Sequence, residues 1–144
     1  GTFQHGWCHG APGIVLARLH AARLDPALTA EVRAKAATGI ETAVTAMKER
    51  MAQPGFDATL CHGIAGIADV VLSYGELCDP SYQATAAETA LALVRRYDAA
   101  GDWPSGVNAG GPNPSLMIGT AGIGYHLLRL SAPGQLPSVL SLLL

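Results

Sequence analysis

Two Cys–His pairs are the residues best suited to chemistry: Cys8–His9 in GWCHG (6–10) and Cys61–His62 in LCHGIAG (60–66). Thiolate and imidazole are the donors zinc prefers. Three protein ligands with an open fourth position make a catalytic centre, and four make a structural one. The short C-x-x-C knuckle is absent, so spacing alone leaves two readings open. The pairs either share one metal ion, or fill a core beside glycines that let helices pack closely. A Cys8–Cys61 disulfide is the weaker third reading. Three cysteines make an odd count, which fits no disulfide framework and suits a reducing compartment. The expected location is therefore cytoplasmic.

These residues sit in a chain of 144, 49% hydrophobic and 14% charged. That composition is globular and sufficient for one domain with a real core. A net charge of -2 leaves no electrostatic footprint for nucleic acid, so no nucleic-acid partner is expected. Asp69 interrupts the best apolar run before it reaches a membrane span. The start at Gly1, without Met, reads as a fragment or a processed chain. Asp57, Asp69 and Asp102 show no paired-carboxylate pattern of the kind glycoside hydrolysis needs.

The elements that must position the pairs come in copies. WCHGAPGI (7–14), LCHGIAGI (60–67) and LMIGTAGI (116–123) align, with first glycines at 10, 63 and 119, so the steps are 63 − 10 = 53 and 119 − 63 = 56. Asp25-Pro26 and Asp79-Pro80 keep the same phase, and Pro133 follows Pro80 by 53. Each unit reads as a helical hairpin, giving three hairpins. The helix after the glycines is apolar nearly all round, as a helix buried on most sides should be. Asp-Pro then stops it and starts the next one. The outer helices are amphipathic. Val32, Ala36, Ile40, Ala43, Val44, Met47 and Met51 form one stripe over 29–51, and Tyr82, Ala86, Ala90, Leu93, Val94 and Tyr97 form another over 81–100. Hairpins of this kind stack as a solenoid or close into an α/α toroid. The stretch 99–115 is a loop that delivers the third glycine motif, and the last ten residues are an apolar tail packing on the body. His20 and His126 fall on inner helices and read as core or loop-facing histidines with a hydrogen bond. Cys78 reads as core filler, and Trp103 as loop packing.

WCHGAPGI, CHGIAGI and SLMIGTAGIGYHLLRL, in this order, resemble the lanthionine synthetase cyclase family (LanC). WCHGAPG is most similar to the C-terminal cyclase domain of the bifunctional class II enzymes (LanM). The resemblance implies an all-α fold, an α/α toroid or double-layered helical barrel. Residues 1–144 would form the C-terminal part of that cyclase domain, about half of the toroid. It implies zinc on Cys8, Cys61 and His62, with Cys8 meeting the other two across the toroid axis. The implied reaction adds peptide Cys thiolates to dehydroalanine or dehydrobutyrine to form (methyl)lanthionine thioethers.

His9 stands where stand-alone cyclases often have Tyr. It is not counted as a ligand and is the catalytic candidate, for proton handling, with helix capping as the alternative. The Arg that stand-alone cyclases carry before the Trp is not aligned at Phe3, Gln4 or His5. Asn113, Leu116 and Met117 match the family's N-x-x-L-M-x-G pattern, implying loop anchoring. The family's acid His and its Asp partner lie upstream of the W-C-x-G motif. The implied partners are therefore the dehydrated precursor peptide and the remainder of the synthetase, meaning the N-terminal half of the toroid and the dehydratase domain. The chain alone is expected to be inactive in cyclisation. Two other functions remain open: a non-catalytic LanC-like protein binding zinc and a thiol such as glutathione, and a helical-repeat scaffold.

Overall fold

A computed structural model describes residues 5–25, 27, 29–99, 101–106 and 113–141. Among the described residues a 3₁₀ turn, Trp7–His9, precedes five α-helices: α1 Ala11–Leu24, α2 Thr29–Met51, α3 Ile64–Leu77, α4 Ser81–Tyr97 and α5 Thr120–Ser131. The described residues contain helices and no strands, so the fold is all-α, as its repeats predict. Helices α1, α3 and α5 form an inner row in which α3 touches both of the others. Outside them, α2 packs on α1 and α3, while α4 packs on α3 and α5. This is the two-layer arrangement of an α/α toroid.

Burial within the inner row depends on position rather than on composition. Helix α3 has neighbours on both sides and behind it, and every residue from Ile64 to Gly75 is buried. Helix α1 buries only Pro12, Val15, Leu16 and Leu19, and α5 only Gly122, Ile123, His126 and Arg129. Ile14 and Leu128 on those helices are more than half exposed. The expectation of inner helices buried on most sides thus holds for α3 alone. The predicted outer stripes do face the core: Ala36, Ile40, Ala43 and Met47 of α2 and Ala86, Ala90 and Leu93 of α4 are buried. Helix α4 ends at Tyr97, three residues earlier than its periodicity suggests, and Gly101 follows with φ +67°.

The third hairpin is a correction. Among the described residues no outer helix follows α5. Gly134 turns the chain with φ +74°, and the tail folds back along the end of α5 instead. Tyr125 Oη donates to the Pro137 carbonyl at 2.9 Å and Arg129 Nε to the Leu136 carbonyl at 3.0 Å. Pro133 and Pro137 lack the N–H groups that a helix would need there. The tail is anchored by Leu140, which is buried, in line with an apolar tail packing on the body.

Asp69 interrupts the apolar run of α3 because it joins a buried polar cluster. Arg129 Nη1 donates to it at 2.6 Å, His126 Nδ1 lies 3.2 Å away, and the Ser138 hydroxyl reaches its other oxygen at 2.5 Å. The second Arg129 arm donates to Glu76 at 2.8 Å. Burial pushes the Asp69 carboxyl up, but His126, Arg129 and Ser138 outweigh it and hold the group below the usual carboxylate range. The cluster ties α3, α5 and the tail together.

Candidate metal centre

Each inner helix begins on a glycine with no side-chain cap, so its first N–H groups need other partners. The preceding turn supplies them. Ahead of α3, the carbonyls of Asp57, Ala58 and Thr59 accept from Ile64, Ala65 and Gly66 at 2.9, 3.3 and 3.1 Å. Ahead of α5, the Asn113 carbonyl accepts from Thr120 at 2.7 Å. The side chains of the same two residues fix the turns. Asp57 Oδ1 accepts from the Thr59 N–H at 2.8 Å, and Asn113 Oδ1 accepts from the Ser115 N–H at 3.0 Å. The second glycine of each motif makes this wrap possible. A Cβ on Gly13, Gly66 or Gly122 would lie 2.1, 1.9 or 1.9 Å from the carbonyl oxygen of Trp7, Leu60 or Leu116.

The turns are then joined at equivalent positions. The Cys8 N–H donates to the Cys61 carbonyl at 3.2 Å, and the Cys61 N–H to the Met117 carbonyl at 2.8 Å. Cys8 therefore meets Cys61 side by side, on adjacent turns, rather than across an axis. Arg50 of α2 holds the His62 carbonyl at 2.8 Å. Gly6 leaves room for His62: a Cβ there would lie 2.9 Å from His62 Cα and Cβ.

The structure brings Cys8, Cys61 and His62 together, with their donor atoms all within 4.8 Å of one another. Donors on a zinc tetrahedron lie roughly 3.6–3.8 Å apart, so small side-chain adjustments close the set around an ion. Two thiols and an imidazole are also the donor chemistry of zinc rather than of calcium or magnesium. Cys8 is exposed, while Cys61 and His62 are half-buried. The Cys61 thiol is pushed up to about 11, first by burial, then by its hydrogen bond and charge interaction with Cys8, and then by the Asp57 carboxylate. Neighbouring thiols resist double ionisation unless a cation sits between them.

The other candidates fall around this trio. His9 lies outside it, with Nδ1 2.7 Å from Cys8 Sγ on the exposed side. Trp7 packs on the core behind Cys8. A cavity of about 660 Å³ opens beside Cys8 and His9, walled by Ile14, Ala17, His20 and Leu140. His126 has its hydrogen-bonding neighbour in Asp69, as a core histidine should. His20 does not, for both of its ring nitrogens are buried without a partner among the described residues. Burial, and then the nearby Arg23 charge, lower its pKa. Cys78 is half-buried at the end of α3, away from the trio. Trp103 packs against Tyr97, with ring centroids 5.7 Å apart, which is loop packing.

One residue of the site escaped the sequence reading. Asp57 Oδ2 lies 3.1 Å from His62 Nε2. The signal was present in the repeat register, since 57 + 56 = 113 aligns Asp57 with Asn113 at the same step that aligns Gly63 with Gly119.

A family model described as lanthionine synthetase C-like protein matches residues 1–143. No curated protein and no solved structure matches the chain.

Proposed function

The chain belongs to the lanthionine synthetase C-like family, and from that premise we propose that it holds zinc on Cys8, Cys61 and His62 and serves in closing thioether rings on dehydrated peptides. The observation that carries this reading is the convergence of three soft donors from two equivalent turns within 4.8 Å. Zinc at this point would lower the pKa of a peptide Cys and so supply a thiolate at neutral pH.

The peptide sulfur bonds to the β-carbon of dehydroalanine or dehydrobutyrine. The alkene electron pair moves to the α-carbon as an enolate, and a proton delivered there completes the thioether with nothing released. The chain's own residues serve that addition in two ways. Trp7, Ile14, Ala17 and Leu140 give the open cavity beside Cys8 an apolar wall against which the alkene side chain can lie. His9 stands at the mouth of that cavity beside Cys8, and we assign it the handling of the proton. The proposed partners are the dehydrated precursor peptide and the rest of a class II synthetase.

Metal analysis of the purified chain tests the reading first, with one zinc per chain expected. A chain that takes up no zinc sinks the proposal. Mass spectrometry of a dehydrated peptide treated with the complete synthetase tests the second half. Rings that form equally well after Cys61→Ala would refute the role of this site. Zinc binding without any ring formation would favour the thiol-binding, non-catalytic reading.

A further inference from the structure

Asp57 and Asn113 do the same backbone work. Each lends its Oδ1 to the N–H two residues on and its carbonyl to the first N–H of an inner helix. An amide therefore suffices to build this turn, as Asn113 demonstrates. Only the turn that carries Cys61 and His62 has a carboxylate in its place. There the second oxygen is turned inward. Asp57 Oδ2 is buried, has no aligned hydrogen-bond donor, and lies 3.1 Å from His62 Nε2. Gly106 closes over the pair, for a Cβ on it would lie 2.8 Å from His62 Nε2 and 3.3 Å from Asp57 Oδ2. A buried anionic oxygen without an aligned donor is costly, and the imidazole N–H is the donor within reach.

We propose that Asp57 is the positioning residue of the metal centre: its Oδ2 accepts a hydrogen bond from His62 Nε2–H, fixing the tautomer and ring direction that leave Nδ1 for the ion. The inference rests on the zinc reading above. A carboxylate behind a ligating imidazole also raises the basicity of the donor nitrogen, and removal of such partners typically weakens metal binding about 10–100-fold. No charge is needed in the turn ahead of α5, where Met117 and Ile118 replace the Cys and His, and an amide stands there.

The test is competition for zinc between a chromophoric chelator and the full chain, with the melting temperature of each metal-free protein measured in parallel. Asp57→Asn should bind zinc about 10–100-fold more weakly while melting with the wild type, because the amide keeps the turn. Asn113→Asp should leave zinc affinity unchanged, while melting lower because it loses the Nδ2 bond to the Ile118 carbonyl. Gly106→Ala leaves the turn and the carboxylate intact but pushes a methyl group against the His62–Asp57 pair, and it should also weaken zinc. Wild-type affinity in Asp57→Asn overturns the inference and leaves the zinc reading standing. If Asp57→Asn does not fold, Gly106→Ala decides, and wild-type affinity there overturns the inference. A wild-type chain that binds no zinc overturns the reading and the inference together.

Discussion

In the turn ahead of α3 the chain places Asp57, Cys61 and His62, and in the turn ahead of α5 the same positions carry Asn113, Met117 and Ile118. Both turns close with an Asx hydrogen bond, both feed carbonyls to bare helix N-termini, and both need a glycine beneath a carbonyl oxygen. The backbone is thus repeated faithfully while the Cys and His donors are confined to one copy and its neighbour at Cys8. The lesson is that the glycines and the Asx residue build the turn, and that the proposed ligands are an overlay on it. A family motif read as a single block mixes these two roles, and the repeat separates them.

The largest effect that would break this comparison is a change of ligand. Cys61→Ala should abolish stoichiometric zinc, because two remaining donors do not hold the ion, whereas Met117→Ala should leave the metal content unchanged. Metal analysis of the two purified variants decides the matter, and zinc lost from Met117→Ala would mean that the third turn takes part in the site.

Next in size is the joint between the two helices that these turns launch. Asp69→Ala leaves the buried Arg129 with Glu76 as its one carboxylate partner among the described residues and should cost about 3–5 kcal/mol in denaturant unfolding. The same cluster sets a pH dependence. Asp69 has a lowered pKa when folded, so its contribution is present above the ordinary carboxylate range and is lost as the pH falls through the folded value. Thermal melting of the wild type should therefore drop at acid pH below the usual range for Asp. In Asp69→Ala that part of the drop should vanish, and an unchanged acid limb would show that other groups control it.

Smaller, and informative for its symmetry, is the cost of a methyl group under each turn. Gly66→Ala and Gly122→Ala should each destabilise by about 1–3 kcal/mol, since backbone and not a movable side chain lies in the way. Unequal penalties would argue that the two turns are less alike than their hydrogen bonds. Zinc affinity should suffer from Gly66→Ala more than from Gly122→Ala, because the former meets the backbone of Leu60, the neighbour of Cys61, whereas the latter meets the Leu116 backbone and only the end of the Leu60 side chain.

Much of this arrangement was legible in the residues. The glycine spacing located three turns, the Asp-Pro steps separated the helices, and the period of α2 and α4 placed their apolar stripes on the core. The resemblance to the cyclase family named Cys8, Cys61 and His62, and the structure brings those three together. Three things were not legible. Among the described residues no outer helix follows α5, which fits the Pro and Gly of the tail, whose apolar composition suggested packing without saying in what form. Among the described residues α1 and α5 have a neighbour on one side of the inner row only, and the exposure that results is not recorded in either helix's own sequence. Asp57 was seen as a lone carboxylate, because its partner is chosen by a ring orientation and not by a spacing.

The sequence by itself determined the local terms: where backbone must turn tightly, where helices start and which face of each outer helix is apolar. These depend on residues within a turn or two of one another. Tertiary structure alone decided the pairings. Cys8 meets Cys61 through a hydrogen bond between adjacent turns, His62 faces Asp57, and Asp69 finds His126, Arg129 and Ser138 at separations of 57 to 69 residues. Such contacts are set by how helices stack, and buried polar groups then take whichever partners the stacking brings within reach.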